Sequence, residues 1–309
     1  MKVFVAGASG AIGQQLVPRL IAAGHEVHGM TRSESKQAML YDLGAVPVVA
    51  DALDPDQVAE AVGRARPDVI VHQLTAIGDV DARHMERGFA ATNLLRTRGT
   101  DYLLSAGQAV GVQRFVAQSH IACYARTGVA VKTEEETYDP SPVGAMRGNL
   151  AAIRHTEQAV LGARWTQGIV LRYGWFYGPG TSLASDGDQF ELIRRRKFPV
   201  VGDGGAVWSF IHVADAAEGT LAAIEHGSRG VYNVVDDDPA PVAEWLPALA
   251  LALGAKRPMR VPRFVARLFA GQESVVMMTE LLGASNAKAK RDLAWRPAHP
   301  SWRQGFAVA

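Results

Sequence analysis

Val3-Phe4-Val5-Ala6-Gly7-Ala8-Ser9-Gly10-Ala11-Ile12-Gly13 passes from a short β-rich apolar run, through glycines at 7, 10 and 13, into an apolar pattern of helical period. Each glycine has a separate mechanical reason. The first permits a tight strand-to-helix turn, the second lets backbone approach a pyrophosphate, and the third lets the helix pack closely on the strand. The unpaired N–H groups of the helix start then face an anion. The motif follows a strand, precedes a helix and lies inside a full βαβ unit, so it predicts a dinucleotide site lined by Gly7, Ser9, Gly10, Ala11, Ile12 and Gly13. The alternative is a tight turn that binds nothing.

Working outward, residues 1 to about 120 alternate apolar strands with helical stretches, the pattern of a parallel sheet with helices on both faces. Five strands are predicted: Lys2 to Ala6, Glu26 to Met30, Val46 to Val49, Val69 to His72 and Arg114 to Ala117. This is a doubly wound α/β arrangement. Helices are predicted over Arg83 to Val110 and from about Met146 to Leu161. After residue 172 come Gly- and Pro-rich connections such as Tyr177-Gly178-Pro179-Gly180, which mark a smaller C-terminal α/β lobe. The division expected is a nucleotide-binding domain over 1–172 and a substrate lobe over 173–309, with segments near 207–235 interleaved with the first domain.

The end of the second strand decides the nucleotide. A site for NAD places an acid there, about 20 residues past the glycines, to hold the ribose 2′-hydroxyl. Here the chain reads His28-Gly29-Met30-Thr31-Arg32-Ser33, with no acid. Thr31 and Arg32 suit a 2′-phosphate, because a guanidinium grips phosphate through parallel hydrogen bonds. NADP(H) is the expected cofactor, and an ordinary surface arginine is the alternative. Asp51 and Ala52, just past the third strand, are placed to meet the adenine, although Asp51 also suits a helix cap.

Composition narrows the partners. The 309 residues are 48% hydrophobic and 20% charged, and 32 Lys plus Arg against 31 Asp plus Glu leave a net charge of +1. That balance offers no electrostatic footprint for nucleic acid or an anionic membrane, so the partner is a small molecule. Cys123 is the single cysteine, which suits a reducing compartment. The first apolar run is too short for a signal-peptide core and no stretch reaches membrane-spanning length, so the expected location is the cytoplasm. The nine histidines form no zinc-binding helix motif and no paired cysteines exist, so no metal is implied.

With Leu171-Arg172-Tyr173-Gly174-Trp175-Phe176-Tyr177-Gly178-Pro179 and Trp208-Ser209-Phe210-Ile211-His212-Val213-Ala214-Asp215 added to the glycine turn, the sequence resembles the extended short-chain dehydrogenases/reductases, which include the NAD-dependent epimerase/dehydratase proteins. The resemblance spans nearly the whole chain and implies a Rossmann fold. It also implies that Gln73, Leu74 and Thr75 line the adenosine side, and that Gln118, Tyr173, Trp175 and Phe176 approach the nicotinamide. A homodimer through helices near 87–110 and 146–161 is a further implication.

The resemblance breaks where the family's chemistry sits. Family enzymes carry a Tyr-x-x-x-Lys pair as the acid/base couple. Aligning on Glu157 places Asn149 at the tyrosine and Ile153 at the lysine, and neither exchanges a proton near neutral pH. At the end of the fifth strand, where the family has a serine or threonine, the best register puts His120, a proton donor by its ordinary pKa or else a merely structural histidine. Ser119 is the second catalytic candidate. Trp208 stands where sugar-nucleotide enzymes commonly have an arginine. The sequence therefore points to an NADP(H)-dependent oxidoreductase delivering hydride to a small, fairly apolar carbonyl-type substrate. Two alternatives stay open: a sugar-nucleotide epimerase or dehydratase, and a non-catalytic NADP-binding sensor or scaffold.

Overall fold

In the computed structural model, which describes residues 1–77 and 85–306, seven parallel strands make one central sheet. They are β1 (Lys2–Ala6), β2 (Glu26–Thr31), β3 (Val46–Val49), β4 (Val69–His72), β5 (Arg114–His120), β6 (Gln167–Tyr173) and, beyond the short strands β7 (Trp175–Tyr177) and β8 (Phe210–His212), β9 (Gly230–Val234). The order across the sheet is β9-β6-β5-β4-β1-β2-β3. The chain reverses its direction of winding between β1 and β4, the place where open α/β sheets bind ligands beyond the carboxyl ends of their strands. In register, Ala6 lies beside Met30 on one side and His72 on the other, so the glycine turn, the end of β2 and the end of β4 share one edge.

Five of these strands are those expected from the sequence; the sheet gains β6 and β9, for which no strand was predicted. Strand β2 runs on through Thr31, and β5 continues to His120, which puts Gln118, Ser119 and His120 on a regular pleat. Burial explains the strand runs. Val3 to Ala6, Val69 to Val71 and Ile169 to Leu171 are all inaccessible or nearly so, as expected for a sheet covered on both faces.

Helix α1 (Ala11–Ala22) buries Ile12, Leu16, Val17 and Leu20 on the sheet, spaced for a single helical face. Helix α2 (Pro55–Ala65) begins with Pro55 after Asp54, whose carboxylate accepts from Asp56 N (3.0 Å) and Gln57 N (3.1 Å). The long predicted helix consists of α3 (Met85–Leu94), a π-helical turn (Leu95–Gly99) and α4 (Thr100–Val110); its start at Arg83 lies outside the described residues. Helix α5 covers Met146–Gly162. Helix α6 (Val213–His226) leads back from β8 to pack on α1 and deliver β9 to the sheet.

A second core holds Tyr177, Phe190, Trp208, Phe210, Trp245, Trp302 and Phe306, with α7 (Val242–Ala252) and α8 (Arg263–Thr279) around it. Among the described residues no helix is long and apolar enough to cross a membrane.

Candidate active site

The phosphate end is made of backbone. Gly7 has φ +93°, and a Cβ there would stand 2.7 Å from the Gln73 carbonyl oxygen. A Cβ on Gly13 would stand 2.4 Å from the Ala8 carbonyl oxygen, so only glycine lets α1 start this close to the turn. The first turn of α1 has neither a side-chain cap nor an acidic residue, which leaves its N–H groups and positive dipole end for an anion. These features fit a dinucleotide diphosphate.

At the end of β2, the hydroxyls of Ser9 and Thr31 are 3.1 Å apart and Thr31 Oγ1 accepts from Ser33 N (3.3 Å). Arg32 is exposed, and Ser33 and Ser35 pair their hydroxyls at 2.8 Å beside it. The cap of α2 is Asp54 rather than Asp51. Asp51 instead fixes the turn after β3 by accepting from Leu53 N (2.9 Å), and Ala52 is buried behind it.

Beyond β4 the structure departs from the expected lining. Gln73 is buried and donates from Nε2 to the Tyr173 hydroxyl (3.0 Å), which also pairs with Thr220 Oγ1 (2.7 Å). Tyr173 is fully buried, so its side chain ties β6 to α6 in the core rather than lining open space. Leu74 is half-buried and Thr75 exposed. Phe176 packs against the Tyr173 ring at 5.4 Å.

The opposite end, at β5 and α5, is made of side chains. His120 accepts from Ala122 N at Nδ1 (3.0 Å) and sets its ring edge-on to Trp175 at 4.8 Å. Trp175 in turn stacks on Trp208 at 4.1 Å. Burial, and then the nearby Arg96 charge, push the His120 imidazole down to about 3. This corrects the sequence expectation of a near-neutral acid. With Nδ1 accepting, the one ring proton sits on Nε2, and His120 works at neutral pH as a neutral hydrogen-bond donor.

Ser119 faces the other side of the pleat, as alternation requires. Its hydroxyl donates to Glu157 Oε1 (2.5 Å), away from His120. Glu157 is fully buried; it also accepts from Arg172 Nε (2.9 Å) and Nη2 (2.6 Å) and from the Tyr138 hydroxyl (2.6 Å). The Arg172 guanidinium lies over the Tyr124 ring at 4.8 Å. Ser119 is thus one anchor of a buried ion pair rather than a group directed at a substrate beside His120. Cys123, next to this pair, has its thiol pushed up to about 12 by burial, which keeps it protonated and inert.

On α5, Asn149 accepts through Oδ1 from Arg96 Nη1, and Ile153 is buried in the core. At the end of β4, His72 accepts from Leu74 N (3.2 Å) and pairs with Thr100 Oγ1 (3.1 Å); burial pushes it down to about 4. Sequence reading missed Arg96, His72 and the Glu157–Arg172 pair. Only the last had a signal, an arginine inside an otherwise apolar strand, which calls for a buried partner.

A cleft of about 790 Å³ opens at the start of α5, lined by Met85, Ala145, Leu268 and Phe269 with Arg267 and Glu273 among its polar groups. Ala145 precedes Asn149 by one helical turn, about 6 Å along α5. His212, Asp215 and His299 also cluster, with their donor atoms within 4.8 Å of one another. There His212 Nδ1 accepts from Ala214 N, and the Asp215 carboxylate accepts from Ala298 N and His299 N, so the group clamps the start of α6 to the C-terminal segment.

Known proteins share this architecture. The fold superimposes on a UDP-glucose 4-epimerase of Thermotoga maritima solved with UDP-glucose, with TM-score 0.79 and 23% identity, covering 100% of this chain and 97% of that one. A human epimerase family protein solved with NADPH gives TM-score 0.78 and 22% identity, covering 100% and 98%. In sequence, a 3-diazoavenalumate denitrifying reductase of a Streptomyces species is 41% identical over 307 residues, 99% of each chain. A quinoline-oxide ketoreductase of Stigmatella aurantiaca is 31% identical over 260 residues, 83% of this chain and 74% of that one. Residues 3–235 match the profile of the NAD dependent epimerase/dehydratase family, and with these relatives beside it the chain belongs to that family.

Proposed function

We propose that this NAD(P)-dependent oxidoreductase uses NADP(H) and delivers hydride to a small, fairly apolar carbonyl-type substrate without a Tyr/Lys couple. The observation that carries the reading is the pairing of Arg32, exposed and flanked by Thr31, Ser33 and Ser35 where an NAD site needs an acid, with the His120, Trp175 and Trp208 wall at the other end. Gly7 to Gly13 would hold the diphosphate and Thr31 with Arg32 the 2′-phosphate. When bound, the cofactor supplies the hydride. His120 donates a hydrogen bond through Nε2, and the Trp175 indole, held from behind by Trp208, excludes water and orients an apolar body. Relatives named as reductases support hydride delivery over epimerisation.

A second reading has its own support, the 41% identity to a reductase named for removing nitrogen from a diazo compound. Hydride added to the carbon of a diazonium cation would form a C–H bond as the C–N bond breaks and dinitrogen leaves with the C–N electron pair, so the charges cancel. No proton donor is needed, which suits a site whose histidine is neutral.

The test is NADPH oxidation, followed by absorbance, with aromatic aldehydes, cyclic ketones, quinones and an aryl diazonium salt. Protein-dependent turnover of an oxygen-bearing acceptor supports the first reading, and turnover of the diazonium salt with gas release supports the second. Tight NADPH binding with no turnover on the whole panel favours a sensor. NADH binding more tightly than NADPH overturns the cofactor choice. The dimer is read by light scattering, where a monomeric mass at micromolar concentration removes it.

A further inference from the structure

We propose that Arg96 is the electrophile of this site: its guanidinium, oriented by Asn149, binds the substrate oxygen on which negative charge collects when the adjacent carbon accepts hydride. The proposal rests on the reading that hydride is delivered at the end of β5.

Four observations lead to it. Arg96 lies in the π-helical turn Leu95–Gly99 between α3 and α4, and single π turns inside helices concentrate at functional sites. The turn is locked from outside, since the Arg96 carbonyl accepts from the hydroxyls of Thr100 (2.5 Å) and Thr156 (2.6 Å). The residue is only 4% exposed and sits beside the end of β4, because Thr100, whose hydroxyl donates to the Arg96 carbonyl, also pairs with His72 Nε2 (3.1 Å); from there its charge bears on His72 and on His120, ending β5. Finally, among the described residues its side-chain partner is the Asn149 amide oxygen and not a carboxylate. A neutral acceptor fixes direction without cancelling charge.

Burying a guanidinium is costly unless something uses its charge. Burial lowers Arg96 to about 10, so it remains a cation at neutral pH. That supplies what Asn149 and Ile153 cannot. Bound NADPH would supply hydride to the carbonyl carbon; the displaced π pair would then sit on oxygen, where Arg96 and the His120 Nε2–H would hold it until water protonates it. The substrate class follows: an apolar molecule, fitted to Trp175, which Trp208 backs from the core, with an oxygen on or beside the carbon that is reduced.

The experiment uses 4-nitrophenol as probe, an apolar ring bearing an oxyanion, with the protein saturated in NADP⁺. The absorbance of bound nitrophenolate is followed against pH, while NADPH fluorescence titrations report nucleotide binding separately. The probe is expected to ionise about 1–2 pH units lower when bound than when free, the effect of one adjacent cation. Arg96→Gln is expected to abolish that shift and Arg96→Lys to keep part of it, because lysine retains the charge but not the fork. Asn149→Ala reduces the shift. A merely structural arginine would lower the melting temperature in all three variants without moving the ionisation of the probe. An unshifted probe on wild-type protein that binds NADPH overturns the proposal, as does a full shift in Arg96→Gln. Absence of NADPH binding breaks the nucleotide reading instead, and the probe titration on the protein alone still decides the role of Arg96.

Discussion

The two ends of the site solve the problem of holding charge in opposite ways. At the proposed phosphate end, the groups on offer to an anion are main-chain N–H groups and an exposed arginine, with three glycines keeping side chains out of the way. At the end of β5, charge is carried by side chains sealed in the protein: Arg96 on Asn149, and Arg172 on Glu157. Backbone donors need no desolvated ion and tolerate little change of shape. Buried side-chain ions tolerate little change of partner. The two ends should therefore fail differently when mutated.

The largest effect is expected at the Glu157–Arg172 pair. Glu157→Ala leaves Arg172 buried without its carboxylate and removes the acceptor of Ser119 and Tyr138, which should cost about 3–5 kcal/mol of folding stability. Urea unfolding measures it, and a loss below about 1 kcal/mol would show that water reaches this pair and that the contrast between the ends is false. Next is Gly13→Ala. Its new methyl meets the Ala8 and Gly7 carbonyl oxygens at 2.4 and 2.5 Å, and the clash should cost about 1–3 kcal/mol while displacing α1 from the phosphates. NADPH fluorescence should show binding lost even where the protein still folds; wild-type affinity would mean that the turn does not hold the phosphates.

This difference also explains what the sequence disclosed. The glycine turn is legible because its constraint is local: three glycines within seven residues, read in order, already specify a turn, an approach and a packing contact. The missing acid after β2 is legible for the same reason. Arg96 was invisible, because its partner Asn149 lies 53 residues away and a π turn leaves no mark in the hydrophobic period. His120 was located correctly at the end of its strand, but its charge state depends on packing by Trp175 and on Arg96, which no spacing rule carries. Ser119 and Tyr173 show the same gap. Their positions were read from the chain, while their directions come from the pleat and from Glu157 and Gln73.

At the phosphate end, Arg32→Ala should separate the two nucleotides. A charge-assisted contact to phosphate is worth about tenfold to a hundredfold in affinity, so NADPH should weaken by that factor. NADH, with a free 2′-hydroxyl, should change by no more than about twofold. Equal weakening of both would mean that Arg32 steers anions generally and does not read the 2′-phosphate.

The smallest effect at neutral pH, and the most specific, concerns His120. Because its imidazole is held at about 3 in the folded protein against 6.5 when free, the folded state binds fewer protons than the unfolded chain between those values. Wild-type stability is therefore eroded as the pH falls through that window, by at most about 1.4 kcal/mol per pH unit from this one group. His120→Asn removes the term while keeping a polar side chain beside Trp175. The stability gap between wild type and variant should then be constant above about pH 7 and should move in favour of the variant on acidification. In parallel, the His120 ring-proton NMR signal should stay flat from about pH 8 to 5, and turnover should show no histidine inflection over that range. A signal that titrates near 6.5, with a gap that stays constant down to acid pH, would show that this imidazole is solvated. The β5 end would then hold an ordinary acid, and the division between a backbone end and a sealed side-chain end would rest on Arg96 and Arg172 alone.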